Sequence, residues 1–150
     1  MVDLTQLGTA LAAKIAAIPE VLAEVGTASH VVFYADTFPT AVSLARAVYE
    51  MAPGRILIAW VSTSLDTGEP MNAWAHTFSI YVKAGKDRPV LPLVNWIVDG
   101  TPARNAGLKL RHSPVLAGTL PPEVRAIERV TDADAIDYFE LKVQIEETGD

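Results

Sequence analysis

The stretch from Asp137 to Glu146 constrains the fold of this chain more than any other. Phe139, Leu141, Val143 and Ile145 fall on one side, and Tyr138, Glu140, Lys142, Gln144 and Glu146 fall on the other. Apolar and polar residues alternating at period two make a half-buried strand, one face on a core and one face open. A strand of this kind needs partners, and the partners are legible upstream. Arg55 to Ser62 is β-branched and aromatic, with Ile56, Ile58 and Trp60 on one face. Ala73 to Lys83 alternates over a long span, with Trp74, His76, Phe78, Ile80 and Val82 on one face. Polar Thr63 to Asn72 between them reads as the projecting loop of a long hairpin. Val124 to Val130 reads as a further strand, and His30 to Tyr34 as a compact apolar one.

Helical spacing fills the intervals. Leu4, Leu7, Leu11, Ile15 and Ile18 recur at three- and four-residue steps, an amphipathic stripe that Pro19 should end. A turn is expected from Glu20 to Gly26. Asp36 or Thr37 can cap a second helix with Pro39 in its first turn, burying Val42, Ala45, Val48 and Tyr49 or Met51. Pro89 or Pro92 can start a third, running to Asp99 with Leu93, Val94, Trp96 and Ile97 on the sheet. Gly85 to Pro89 and Thr131 to Ala135 read as turns. Thr101 to Pro122, rich in glycine and proline, reads as a long connection with a short strand near Leu108 to Arg111. The order α, β, α, β, β, α, β, β predicts a single α+β domain, a mostly antiparallel sheet with helices packed on one face.

Composition narrows the function. The chain has 150 residues with a net charge of −6 and no cysteine. An acidic surface repels phosphate backbones, and the lack of thiols removes disulfides and thiolate chemistry. No basic start leads into an apolar run, so a signal peptide is not expected. No stretch approaches the ~20 apolar residues of a membrane span.

Catalytic patterns are tested and set aside. His30, His76 and His112 lack metal-ligand spacing, so hydrogen-bonded or partly exposed histidines are expected. Ser62, Thr63 and Ser64 follow a strand without a nucleophile elbow. Gly8 to Lys14 lacks the second glycine of a phosphate loop and sits in a helix. Asp132 to Asp137 starts like a calcium loop, but Val143 stands where the bidentate glutamate belongs. Glu140 and Glu146 read as solvated cross-strand charge beside Lys142. Trp60, Trp74 and Trp96 read as packing residues of the core or its edge. No catalytic, cofactor-binding or metal-ligating residue is assigned. The features left over suit contacts with another protein: Asp66 and Glu69 on the projecting loop, Leu110 and Leu116 in the long connection, and Tyr138, Glu140, Lys142 and Glu146 on the open strand face.

The opening helix Leu7 to Pro19, the valine-rich strand, the paired long strands with Trp74 to Val82 and the closing Tyr138 to Ile145 together resemble the tail-terminator and neck proteins of tailed bacteriophages. The resemblance lies in the order of elements across nearly the whole chain. It implies a virion structural protein without enzymatic activity or cofactor, made in the host cytoplasm and built into the tail or neck. Such a protein forms a ring, typically hexameric, that caps the tail tube and meets a connector, with genomic DNA passing through the lumen and no membrane involved. An acidic ring suits passage of a polyanion. One alternative is another neck or head-completion protein on the connector. Another is a small α+β enzyme or ligand-binding module with a pocket near His76, Trp60 and Trp74.

Overall fold

A computed structural model describes residues 1–34, 41–66, 73–83, 90–100, 114–131 and 137–148, except the side chains at 41, 42, 66, 131 and 137. In chain order the elements are α1 (Leu4–Ala16), α2 (Pro19–Val25), β1 (Val31–Phe33), α3 (Ala41–Glu50), β2 (Arg55–Asp66), β3 (Ala73–Lys83), α4 (Val90–Asp99), β4 (Glu123–Thr131) and β5 (Asp137–Glu146). The sheet has five strands in the order β1-β2-β3-β5-β4. Only β1 and β2 run parallel; the other neighbours are antiparallel. The α+β class and the mostly antiparallel sheet expected from the sequence are present.

Alternation decides what β3 and β5 bury. Val82, Ile80, Phe78 and His76 stand opposite Phe139, Leu141, Val143 and Ile145, and all eight are buried. Leu7, Leu11 and Ile15 of α1, Val21 and Val25 of α2, and Leu93, Val94 and Ile97 of α4 join them in one continuous core. Each fully buried side chain of this size contributes about 1.5–3 kcal/mol relative to exposure. The stripe read for α1 is the stripe that packs. Asp3 caps that helix, its Oδ1 accepting from the Gln6 amide at 2.9 Å, and so satisfies one of its free donors.

Glycine brings α1 down onto the sheet. A Cβ at Gly8 would lie 2.4–2.5 Å from the Phe33 ring. Phe33 uses that space to meet Phe78 edge-on, with ring centroids 6.2 Å apart. The glycine that opens the phosphate-loop-like stretch is therefore a packing glycine.

Several expectations need correcting. Glu20 to Gly26 is not a turn: Pro19 occupies the first turn of α2, where its fixed φ favours helix, and Gly26 ends the helix at φ 87°. The strand expected from His30 begins at Val31, because Ala28 to His30 form a single 3-10 turn. β2 runs on to Asp66 and pairs with β3 throughout, so Thr63 to Asp66 belong to the hairpin ladder and not to a loop. On α3 only part of the expected stripe holds. Val48 is buried, but Ala45 and Tyr49 are exposed. The Val42 side chain, the Asp36, Thr37 and Pro39 cap, the 85–89 turn, residues 132–135 of the other turn and the strand near Leu108 lie outside the described residues, while Thr131 ends β4.

α1, α2 and α4 contribute residues to one core. α3 stands apart. Lys83 leaves the sheet on the side opposite Val82, yet its Nζ donates to the carbonyls of Val48, Tyr49 and Met51 at 3.2, 3.2 and 2.8 Å. The end of α3 thus meets the second face at Lys83, the face on which Leu57 and Ala59 are buried outside the main core. A cation on the free carbonyls of a helix C-terminus is electrostatically favoured.

Candidate functional site: the outer face of the sheet

β5 carries its two faces on one backbone. Phe139, Leu141, Val143 and Ile145 are buried, whereas Lys142 is exposed and Tyr138, Glu140, Gln144 and Glu146 are half-buried. The outward set read from the sequence is therefore outward in the structure. The outer side chains are not all free, however. Ser79 Oγ donates to Glu140 Oε1 at 2.9 Å across the β3–β5 pair. Tyr138 and Tyr81 meet edge-on with centroids 6.1 Å apart. Arg125 Nη2 donates to Gln144 Oε1 and pairs with Glu123 at 3.2 Å. Glu140 is thus anchored, not solvated as expected. Burial, with the Glu140 charge beside it, holds the Tyr81 hydroxyl above its ordinary pKa of 10.0. Two ordered aromatics, an anchored carboxylate and the exposed Lys142 make a preorganised polar patch with an aromatic rim. Such a patch suits a protein interface and offers no nucleophile–base pair.

Of the other predicted contact residues, only Leu116 has a described side chain. Leu116 is half-buried against the core, and its carbonyl accepts from Thr119 Oγ1 at 2.7 Å. Its apolar side chain packs in part against that core. Asp66 closes the β2–β3 ladder opposite Ala73, with its side chain outside the described set. Glu69 and Leu110 also lie outside the described residues.

The second place the sequence pointed to is His76, with Trp60 and Trp74. His76 has no exposed surface. Its Nδ1 lies 2.9 Å from Thr63 Oγ1 and its Nε2 lies 2.7 Å from Glu147 Oε2. Trp60 Nε1 donates to the same Thr63 oxygen at 2.9 Å, and the Val2 amide donates to Glu147 Oε1 at 3.1 Å. The donor inventory fixes one consistent neutral pattern: Thr63 donates to Nδ1, and Nε2–H donates to the carboxylate. A hydroxyl–imidazole–carboxylate line has the connectivity of a nucleophile relay. Here the indole N–H already occupies the threonine oxygen, and the imidazole is sealed from solvent. The line works as a buried strap between β2, β3, the segment after β5 and the segment before α1. Trp60 is 37% exposed and Trp74 and Trp96 are half-buried, so none of the three sits inside the core.

Sequence reasoning found His76 but missed both its partners. A bulge between Trp60 and Ser62 shifts the β2 register, which brings Thr63 opposite His76 on the core face. Unbroken alternation would have sent Thr63 to the other side. Glu147 lies beyond the alternating run, so nothing in the pattern marked it.

Among the described residues no group of histidine, aspartate and glutamate is arranged to hold a metal, and no helix is long and apolar enough to cross a membrane. No protein-family model matches this chain, and no curated protein matches it in sequence.

Proposed function

We propose that this chain is a structural protein of a tailed-bacteriophage tail or neck, a tail terminator that closes into a ring, hexameric by the resemblance, and uses the outer sheet face for assembly. The observation that carries the reading is the exposed Lys142, flanked by Tyr138, Glu140 and Gln144, on a strand whose other face is wholly buried. A ring protomer needs such a rigid patch, because a closed assembly repeats one contact many times and each repeat must have the same geometry. The order of elements and the acid balance of −6 agree with a ring through which DNA moves without adhering. The partners of this reading are further copies of the chain, the tail tube below and the connector above. The protein acts in the virion after assembly in the host cytoplasm.

Sedimentation velocity with negative-stain electron microscopy of the purified protein, and of tailed particles, tests the reading. A ring of six copies is the expected result. A strictly monomeric protein that is absent from tailed particles overturns it.

A further inference from the structure

The two edges of the sheet are built differently. β4 at one edge carries Glu123, Arg125, Glu128 and Arg129 and a bulge between Val124 and Ala126. Charges and bulges are how edge strands avoid pairing with other chains. β1 at the opposite edge is protected only by its length of three residues and carries neither charge nor bulge. Its residues are Val31, Val32 and Phe33, and Val32 is 41% exposed.

The parallel register sets which backbone groups of β1 are in use. Val32 pairs toward β2, and the Tyr34 amide donates to the Ile58 carbonyl at 2.7 Å. The amide and carbonyl of Phe33 and the carbonyl of Val31 therefore point away from the sheet. No partner for them exists among the described residues. The Val31 amide is taken by the Ala28 carbonyl.

Clefts lie on both sides of this edge. On the core side, α1 covers β1, and Thr9, Ala12, Ala13 and Ala16 wall a cleft of about 490 Å³ against Val31 and Phe33. On the outer side, Val32, Leu57, Ala47 and Met51 wall another of about 490 Å³, with His30 and Arg55 lining it. A strand laid beside β1 would send successive side chains alternately to the two faces, and so into the two clefts in turn.

Charge selects the occupant. Glu50, the carboxylate of the outer cleft, is already paired with Arg46 at 3.0 Å. Arg55 has no ion pair among the described residues. His30 Nδ1–H donates to the Val25 carbonyl at 2.6 Å. The core-side cleft is walled by alanines and a threonine and carries no charge.

We infer that β1 is a strand-addition site for an extended peptide segment of a partner protein, a segment with small apolar residues facing α1 and an acidic residue facing Arg55. The site is separate from the outer face of β5 and does not depend on the ring reading. Backbone bonds to Phe33 supply the pairing, the alanine-walled cleft selects small side chains, and Arg55 sets the register.

The test uses the full chain and a fluorescein-labelled hexapeptide with valine at alternate positions and one glutamate between them. Anisotropy measures affinity, and hydrogen exchange read by NMR follows the Phe33 amide. Saturable binding with slowed exchange at Phe33 is expected. Ala13→Phe, which fills the core-side cleft from an exposed position, should weaken binding at least tenfold. Arg55→Glu should weaken the glutamate peptide by a similar factor and favour a lysine peptide instead. Unchanged exchange at Phe33, or affinity indifferent to both variants, overturns the inference. Phe33 protection that rises with protein concentration in the absence of peptide also overturns it, because the occupant would then be a second copy.

Discussion

The two faces of β5 share one backbone and one set of ladder bonds, and they do opposite work. The inner face, Phe139, Leu141, Val143 and Ile145, is sealed by α1, α2 and α4 and contributes to folding. The outer face anchors Glu140 through Ser79, Tyr138 against Tyr81 and Gln144 through Arg125, and leaves Lys142 in solvent. On the proposed function, the contrast separates stability from recognition. Residues that hold the fold together have no exposed surface to offer a partner, and the residue most exposed to a partner contributes little to the fold.

That separation can be attacked from both sides. The largest expected effect is on the inner face. Leu141 is fully buried, so Leu141→Ala should cost about 2–5 kcal/mol in a denaturant melt, from lost burial and the cavity left behind. A loss below 1 kcal/mol would mean the core is not sealed at β5. Gly8→Ala comes next. Overpacking against Phe33 should cost about 1–3 kcal/mol and outweigh the gain in helix propensity. Phe33→Leu in the same chain should recover part of it; full stability in the single variant would contradict the close approach of α1 to β1. Glu147→Ala strands the buried His76 N–H, with an expected loss of about 1–3 kcal/mol, whereas Glu147→Gln keeps an acceptor and should lose less. Equal losses in the two would show that the strap's hydrogen bond is not what matters.

The outer face should respond weakly in stability. The neutral form of Tyr81 is favoured by burial, so its contribution is complete below pH 10.0, the unperturbed value, and is lost as pH rises through the elevated folded-state value. Comparing the wild-type protein with Tyr81→Phe by thermal melts from pH 8 upward reads this directly: the wild type should lose more stability than the variant as pH rises. Lys142→Ala should change stability by less than about 0.5 kcal/mol. A larger change would mean that the outer face also holds the fold and would collapse the comparison.

Much of this contrast is written in the sequence, and the limits are physical. Period two specified both faces of β3 and β5 because the inward residues there meet apolar partners across the ladder, His76 against Ile145 excepted. Period 3.6 specified α1 for the same reason. What escaped depends on events that no local pattern records. The β2 bulge turned Thr63 toward His76, and Lys83 is buried only because the end of α3 crosses over it. Pro19 reads equally as a stop and as a first helical residue, and only the burial of Val21 and Val25 decides between them. The patch on the outer face was legible as a row of outward residues, but not as an ordered one, since the Ser79–Glu140 and Tyr81–Tyr138 pairs join different strands.

The central claim is that the outer face of β5 mediates assembly while the inner face mediates folding. Its most direct test is the native mass of the purified wild-type protein and of Lys142→Glu, measured by light scattering at matched concentration beside a thermal melt. The account predicts a closed multiple of 16.1 kDa for the wild type and a single 16.1 kDa chain for the variant, with the same melting temperature. Identical masses for the two proteins would contradict it.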